Sequence, residues 1–227
     1  MVEFGDSLAW TWVMGGLSRQ YEGGAEGRAQ EWLDVADETG MPFDPRLWSE
    51  GPIATTYPAC MAVKAAAEQG PDAEARYLRA LREGLMCFRR KLDSKEALVE
   101  EARGAGLDVP RFRIDLDSHA IVEAFGADLD ATRAHSRELP FLVVGERVLG
   151  PGDDLRGAVA EAGAHPAGEG APDVLGALGR FGRMAGAEIE AVCDLPGPRA
   201  NAELWRLAAE WRVKPLRVLT GTLWELA

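Results

Sequence analysis

The apolar positions of this chain follow two rhythms. Between about residues 58 and 135 they recur at the spacing of one face of a helix. Leu78, Leu81, Leu85, Phe88 and Leu92 make the clearest such face, in a helix predicted over "GPDAEARYLRALREGLMCFRRKL". Thr55 or Thr56 caps the helix before it, with Pro58 in its first turn and Gly70 at its C-cap, positions that suit proline and glycine respectively. Asp93 or Ser94 caps the helix after it, "KEALVEEARGAGL". "IDLDSHAIVEAFGADLDATRAHS" then reads as one further amphipathic helix with Ile121, Val122, Phe125 and Leu129 inward. Elsewhere the pattern is that of strands. "LAWTWVMGG", residues 8–16, is aromatic and β-branched, ends at a glycine pair and reads as a buried strand, with Trp10 and Trp12 in the core. In "RELPFLVVGERVLG", residues 137–150, two short apolar runs flank a Gly145-Glu146 turn. That is a hairpin with Pro140 at its mouth, a place where a residue that cannot donate to a ladder is tolerated.

The remaining segments are punctuated by proline and glycine. A helix is predicted near 27–38, followed by "GMPFDPRLW" with Pro42 and Pro45 as breakers. After the hairpin, "GPGDDLRGAVAEAGA" is a helix whose Asp153-Asp154 first turn suits the helix dipole. "HPAGEGAPD" is a linker, so the expected division is a domain over 1–163, with a helical insertion over about 27–135, a linker at 164–173 and a small helical appendage over 174–227. The appendage reads as a helix to about 193, a break at "LPGPR", a tryptophan-containing helix near 200–211 and a tail, "LRVLTGTLWELA". A packing role suits it better than a helix-turn-helix role.

Composition narrows the function. The 227 residues carry a net charge of −12 with no basic stripe, which argues against a nucleic-acid partner. "FRRKL" at 88–92 reads as one solvated helix face. No apolar run is long enough to cross a membrane. The N-terminus lacks the pattern of a signal peptide, so a cytoplasmic location is expected. The three cysteines, Cys60, Cys87 and Cys193, are spaced too unevenly for a disulfide framework and contain no C-x-x-C. The three histidines, His119, His135 and His165, have no ligand spacing, and neither a metal site nor a cofactor is expected. Cys60 sits in the first turn of a helix, which lowers a thiol pKa, but beside apolar Ala59, Val63 and Ala66, which favours a structural thiol. Cys87 falls off the leucine face beside Arg89 and Arg90, and is the better candidate for an exposed, activated thiol if it is not a spectator.

The order of strand, helical block, hairpin with a proline at its mouth and final helix resembles an α/β thioredoxin fold with a helical insertion. It is similar to the DsbA family of thiol-disulfide oxidoreductases, nearest to its FrnE-like branch. "WVMGGL" resembles that family's second strand and exit, "TTYPACMAVKAAAEQG" the start of its inserted domain, and "ELPFLVVGERVLG" its cis-proline strand with hairpin partner. The resemblance covers roughly 8–163. It implies that Leu139 and Pro140, joined by a cis bond, present backbone to a substrate strand, and that the substrate is a protein or small-molecule thiol or disulfide.

One departure changes the expectation. The family's redox pair is a C-x-x-C on a first strand and helix, and no segment here resembles that unit, so no catalytic residue is assigned. Without that strand, segment 8–14 has no neighbour in the hairpin. Three explanations are open: a start placed too late, a redox-dead relative whose sheet has closed up, or a strand supplied by a partner, including a second copy by strand exchange. The expected functions are an oxidoreductase whose cysteine pair lies outside this sequence, a non-catalytic module that holds a peptide at Leu139-Pro140, or a glutathione-dependent isomerase resembling the 2-hydroxychromene-2-carboxylate type.

Overall fold

Short capped helices build the first two thirds of the chain. The computed structural model describes residues 3–135, 138–168 and 170–227; Ser136 and Arg137 at the mouth of the hairpin, and Glu169 in the linker, lie outside the described residues. Helix α1 (Ala25–Thr39) and the short α2 (Leu47–Glu50) lie on either side of the proline-broken loop. Helices α3 (Tyr57–Ala67), α4 (Pro71–Met86), α5 (Lys95–Gly104), α6 (Val109–Leu116) and α7 (His119–Arg133) then form the helical block. Their shared core is Val63, Ala66, Tyr77, Leu98, Phe112, Ile121 and Phe125. Tyr77 and Phe112 pack with ring centroids 5.1 Å apart and planes tilted by 58°. The buried Tyr77 hydroxyl donates to the Leu98 carbonyl at 2.9 Å, as a hydroxyl out of reach of water must.

Local chemistry explains several boundaries. Ser94, Asp108 and Ser118 each accept a backbone N–H of the following first turn. The cap at Ser118 divides the single helix expected over 114–136 into α6 and α7, and Val122 points outward, 53% exposed. Gly70 is not the C-cap of α3; it opens α4 with φ 102°. Helix α4 ends at Met86, short of the expected 92, because the chain turns back through Arg89 (φ 55°) and the Arg90 amide bonds to the Gly84 carbonyl at 2.8 Å. "FRRKL" is therefore not a solvated helix face: Leu92 enters the core and Arg90 pairs with Glu101 at 2.6 Å.

The hairpin forms as expected, β1 (Leu142–Val144) antiparallel to β2 (Arg147–Leu149), with Leu142 opposite Leu149. Helix α8 (Leu155–Glu161), capped by Asp154, follows. The expected strand at 8–14 is absent. Residues 8–17 belong to no ladder, because a strand needs a neighbour, and β1 pairs only with β2 among the described residues. The segment is held by helices instead.

The C-terminal part carries more than the expected helices. Helix α9 (Val174–Phe181), β3 (Met184–Ala185), α10 (Gly186–Val192) and α11 (Gly197–Ala209) are followed by β4 (Val213–Val218) and β5 (Gly221–Leu226). The tail thus forms a hairpin, extended by β3 into an antiparallel sheet of order β3-β5-β4. Its helices bury Leu178, Ile189, Leu204 and Leu207 against Trp224. A junction with the helical block is closed by Ala185, Val218 and Leu223 packing with Cys87. Ion pairs bridge it: Arg183 reaches Glu83 at 2.7 Å and Glu225 at 2.8 Å. Arg79 joins Glu83 to Glu188.

Candidate functional site: the Leu139-Pro140 surface

Segment Met14–Ser18 is pinned at both ends. The Met14 amide donates to Asp128 of α7 at 2.8 Å, and Asp128 is fixed by Lys64 of α3 at 3.1 Å. At the other end Ser18 and Thr56 exchange hydrogen bonds at 2.9–3.0 Å. Between them Gly16 adopts φ 59° and wedges against Leu129, Phe125 and Tyr57, where a side-chain methyl would stand 2.5 Å from Leu129 Cδ2. Only glycine combines that backbone conformation with that approach. Gly15 is turned toward the hairpin mouth, so close that a methyl on it would lie 2.6 Å from Leu139 Cδ1. The pinned segment therefore runs directly against Leu139.

The Leu139-Pro140 peptide bond is cis. Leu139 is 41% exposed and Val143, on β1, is 49% exposed. Val13 and Leu17, on either side of Gly15, are exposed too. Exposed apolar residues thus flank the Gly15–Leu139 contact along both segments, and β1 keeps an edge that no described strand covers. An open edge with apolar neighbours is suited to accepting an extended chain. His135 packs edge-on against Phe141 with ring centroids 5.4 Å apart, which places it beside this surface. His119 is elsewhere, paired with Glu123 on α7, and His165 sits in the linker, its amide held by Ser7.

The thiols are placed otherwise. Cys87 is not the exposed, activated thiol of the sequence reading: it is 8% exposed and donates to the Pro42 carbonyl at 3.1 Å. Burial pushes its pKa up to about 12, and the nearby carboxylate of Glu83 works in the same direction. Cys60 does face the site through the Gly16 backbone, but burial holds it at about 11. Cys193 is raised by burial as well. None of the three is disulfide-bonded, and Cys60 and Cys87 are protonated at neutral pH. Among the described residues no group of His, Cys, Asp and Glu is placed to hold a metal ion, and no helix is long and apolar enough to cross a membrane.

The sequence model of the thioredoxin family matches residues 14–148, more than half of the chain. The chain belongs to the thioredoxin family. The match runs from the pinned segment through the helical block to β2, so it contains the surface just described except for Val13. Three relatives share one name. The ClpXP adapter protein SpxH of Halalkalibacterium halodurans is 28% identical over 245 aligned positions, covering 99% of this chain and 80% of that protein. That of Shouchella clausii is 28% identical over 221, covering 87% and 69%. That of Bacillus subtilis is 33% identical over 103, covering 44% and 34%. This thioredoxin-family chain accordingly sits beside proteins named for binding, not for thiol exchange. In the sequence Gly15 reads only as one of a glycine pair at a strand end and Val143 only as part of an apolar run, not as parts of the site. The available signal was the "GG" of "WVMGGL", a glycine pair where an ordinary strand exit needs only one.

Proposed function

We propose that this chain is a protein-binding module of the adapter type, which holds an extended segment of a partner at Leu139-Pro140 and the open edge of β1, and delivers that partner to a ClpXP-type protease. The observation that carries this reading is the exposed apolar surface around a cis-proline loop and an unpaired strand edge, in a chain whose thiols are buried and protonated. A strand added at that edge gains backbone hydrogen bonds, while Leu139, Val143, Val13 and Leu17 offer it apolar contacts. The names of the relatives support the same reading. The three thiols of this sequence give the oxidoreductase reading no support of their own, since a thiol held well above neutral pH is a poor nucleophile.

The test is photo-crosslinking from a benzoylphenylalanine at position 143 in cells, with the crosslinked partner identified and purified. Leu139→Asp places a charge in the apolar surface and is expected to weaken binding of that partner by about tenfold or more. An insulin-reduction assay with dithiothreitol is expected to show no acceleration by the chain. Clear acceleration, together with unchanged partner binding by Leu139→Asp, would overturn the proposal in favour of thiol-disulfide exchange.

A further inference from the structure

We infer that a second site, the cleft where the helical block meets the C-terminal sheet, binds an acidic peptide segment through one carboxylate. The cleft has a volume of about 340 Å³ and shares no residue with the Leu139-Pro140 surface. Three guanidinium groups line it: Arg46 before α2, Arg89 in the turn after α4, and Arg217 on the edge strand β4. Two of them are already engaged. Asp44, only 3% exposed, takes Arg46 Nε at 2.8 Å and Nη2 at 2.5 Å. It also faces Arg89 Nε at 3.2 Å, and Arg89 holds Glu50 with its other end. The guanidinium of Arg217 has no ion-pair or hydrogen-bond partner among the described residues. Asp44 is the one carboxylate in the lining, and Glu50 neutralises Arg89 from outside it, so with that pair counted three positive groups meet two carboxylates.

That surplus decides the ligand class. One incoming carboxylate balances the cleft, whereas a phosphate dianion overshoots it. The acceptor geometry of a carboxylate also matches the fork of an arginine. Cys87, Phe88, Val218 and the half-exposed Leu219 form the rest of the wall, which suits aliphatic residues on either side of the acid. The walls are held in place before any ligand arrives. The Phe43 amide donates to Thr220 Oγ1 at 2.7 Å, the Thr220 amide donates to the Phe43 carbonyl at 3.1 Å, and Gly221 abuts Pro42. A local positive surplus in a chain of net charge −12 is a specific feature, not part of a general basic surface. The inference stands independently of what occupies the Leu139-Pro140 surface.

The experiment is an NMR titration of the full chain, following backbone amides and arginine Nε–H groups, with acetyl-Leu-Glu-Leu-amide, its Gln counterpart and inorganic phosphate as separate probes. The Glu peptide is expected to shift Arg217, Val218 and Leu219 saturably. The Gln peptide is expected to bind about tenfold more weakly, and Arg217→Gln to lose about tenfold for the Glu peptide. Arg217 has no partner to lose, so that variant keeps its fold, and an unchanged spectrum away from the cleft checks this. No saturable shift, equal binding of the Gln peptide, or tighter binding of phosphate at the same resonances would each overturn the assignment.

Discussion

Gly15 and Gly16 are neighbours with opposite jobs. Gly16 is conformationally obliged to be glycine, so Gly16→Ala meets both a left-handed backbone and the Leu129 and Phe125 side chains; the expected cost is about 2 kcal/mol or more, read from urea denaturation. Gly15→Ala meets only the flexible end of Leu139. It is expected to leave the midpoint nearly unchanged while weakening partner binding, and a large loss of stability with normal binding would show that Leu139 is structural. The buried thiols give a second prediction at this scale. With pKa values of about 11 and about 12, Cys60 and Cys87 should react with Ellman's reagent at least about 100-fold more slowly in the native chain than after unfolding. Because both values lie above the ordinary 9.0 of an unfolded thiol, their contribution to stability is complete below pH 9. It falls as pH rises through the folded values. The Leu139-Pro140 pair was legible in the sequence, since a proline at the mouth of an apolar hairpin is a local signal. The burial of Cys87 was not, because its cover comes from Pro42 and from Val218 and Leu223, more than a hundred residues on in the chain.

At the scale of elements, the helices were the legible part, because periodicity and caps such as Ser94 lie within a few residues of what they determine. The segment at 8–17 was not. Its composition is that of a strand, but a strand is a property of two segments, and the described residues supply no second one. What holds it is the Met14–Asp128–Lys64 chain of contacts, to which no sequence spacing points. In the sequence the β4-β5 hairpin reads only as a tail beginning at Leu216, and its first strand also contains Pro215. Proline is tolerated there since β4 is an edge strand, which it also protects from stray pairing. The junction between α4 and the C-terminal sheet makes a prediction of its own. Burial works against the charge of Glu188, but Arg79 outweighs it and holds the carboxyl below its ordinary range. Glu225 is likewise lowered, by Lys214 and Arg183 against burial. Their stabilisation is present above about pH 4.5 and is lost as pH falls below it. Glu188→Ala, which leaves Arg79 with Glu83 as its one carboxylate and with the Arg183 carbonyl, is expected to cost about 1–3 kcal/mol at neutral pH and much less at pH 3. Equal losses at both pH values in thermal melts would show that the pair does not hold the junction.

For the whole molecule, the order of elements was enough to reach the thioredoxin family, and the absence of a C-x-x-C in the sequence was enough to question the chemistry. What the order of elements could not convey is that the hairpin mouth and the pinned segment meet at Leu139, which is a matter of tertiary contact through Gly15. The proposed function rests on that meeting. A fold that elsewhere can serve thiol exchange here presents an apolar, edge-bearing surface and no ionised thiol, and fold alone does not decide between the two uses. The most direct measurement is the turnover by purified ClpXP of the partner crosslinked at position 143, with and without this chain and its Leu139→Asp variant. The account expects the chain to accelerate degradation at least about tenfold and Leu139→Asp to lose most of that effect. Turnover that is unchanged by the chain, or equally accelerated by Leu139→Asp, would contradict it.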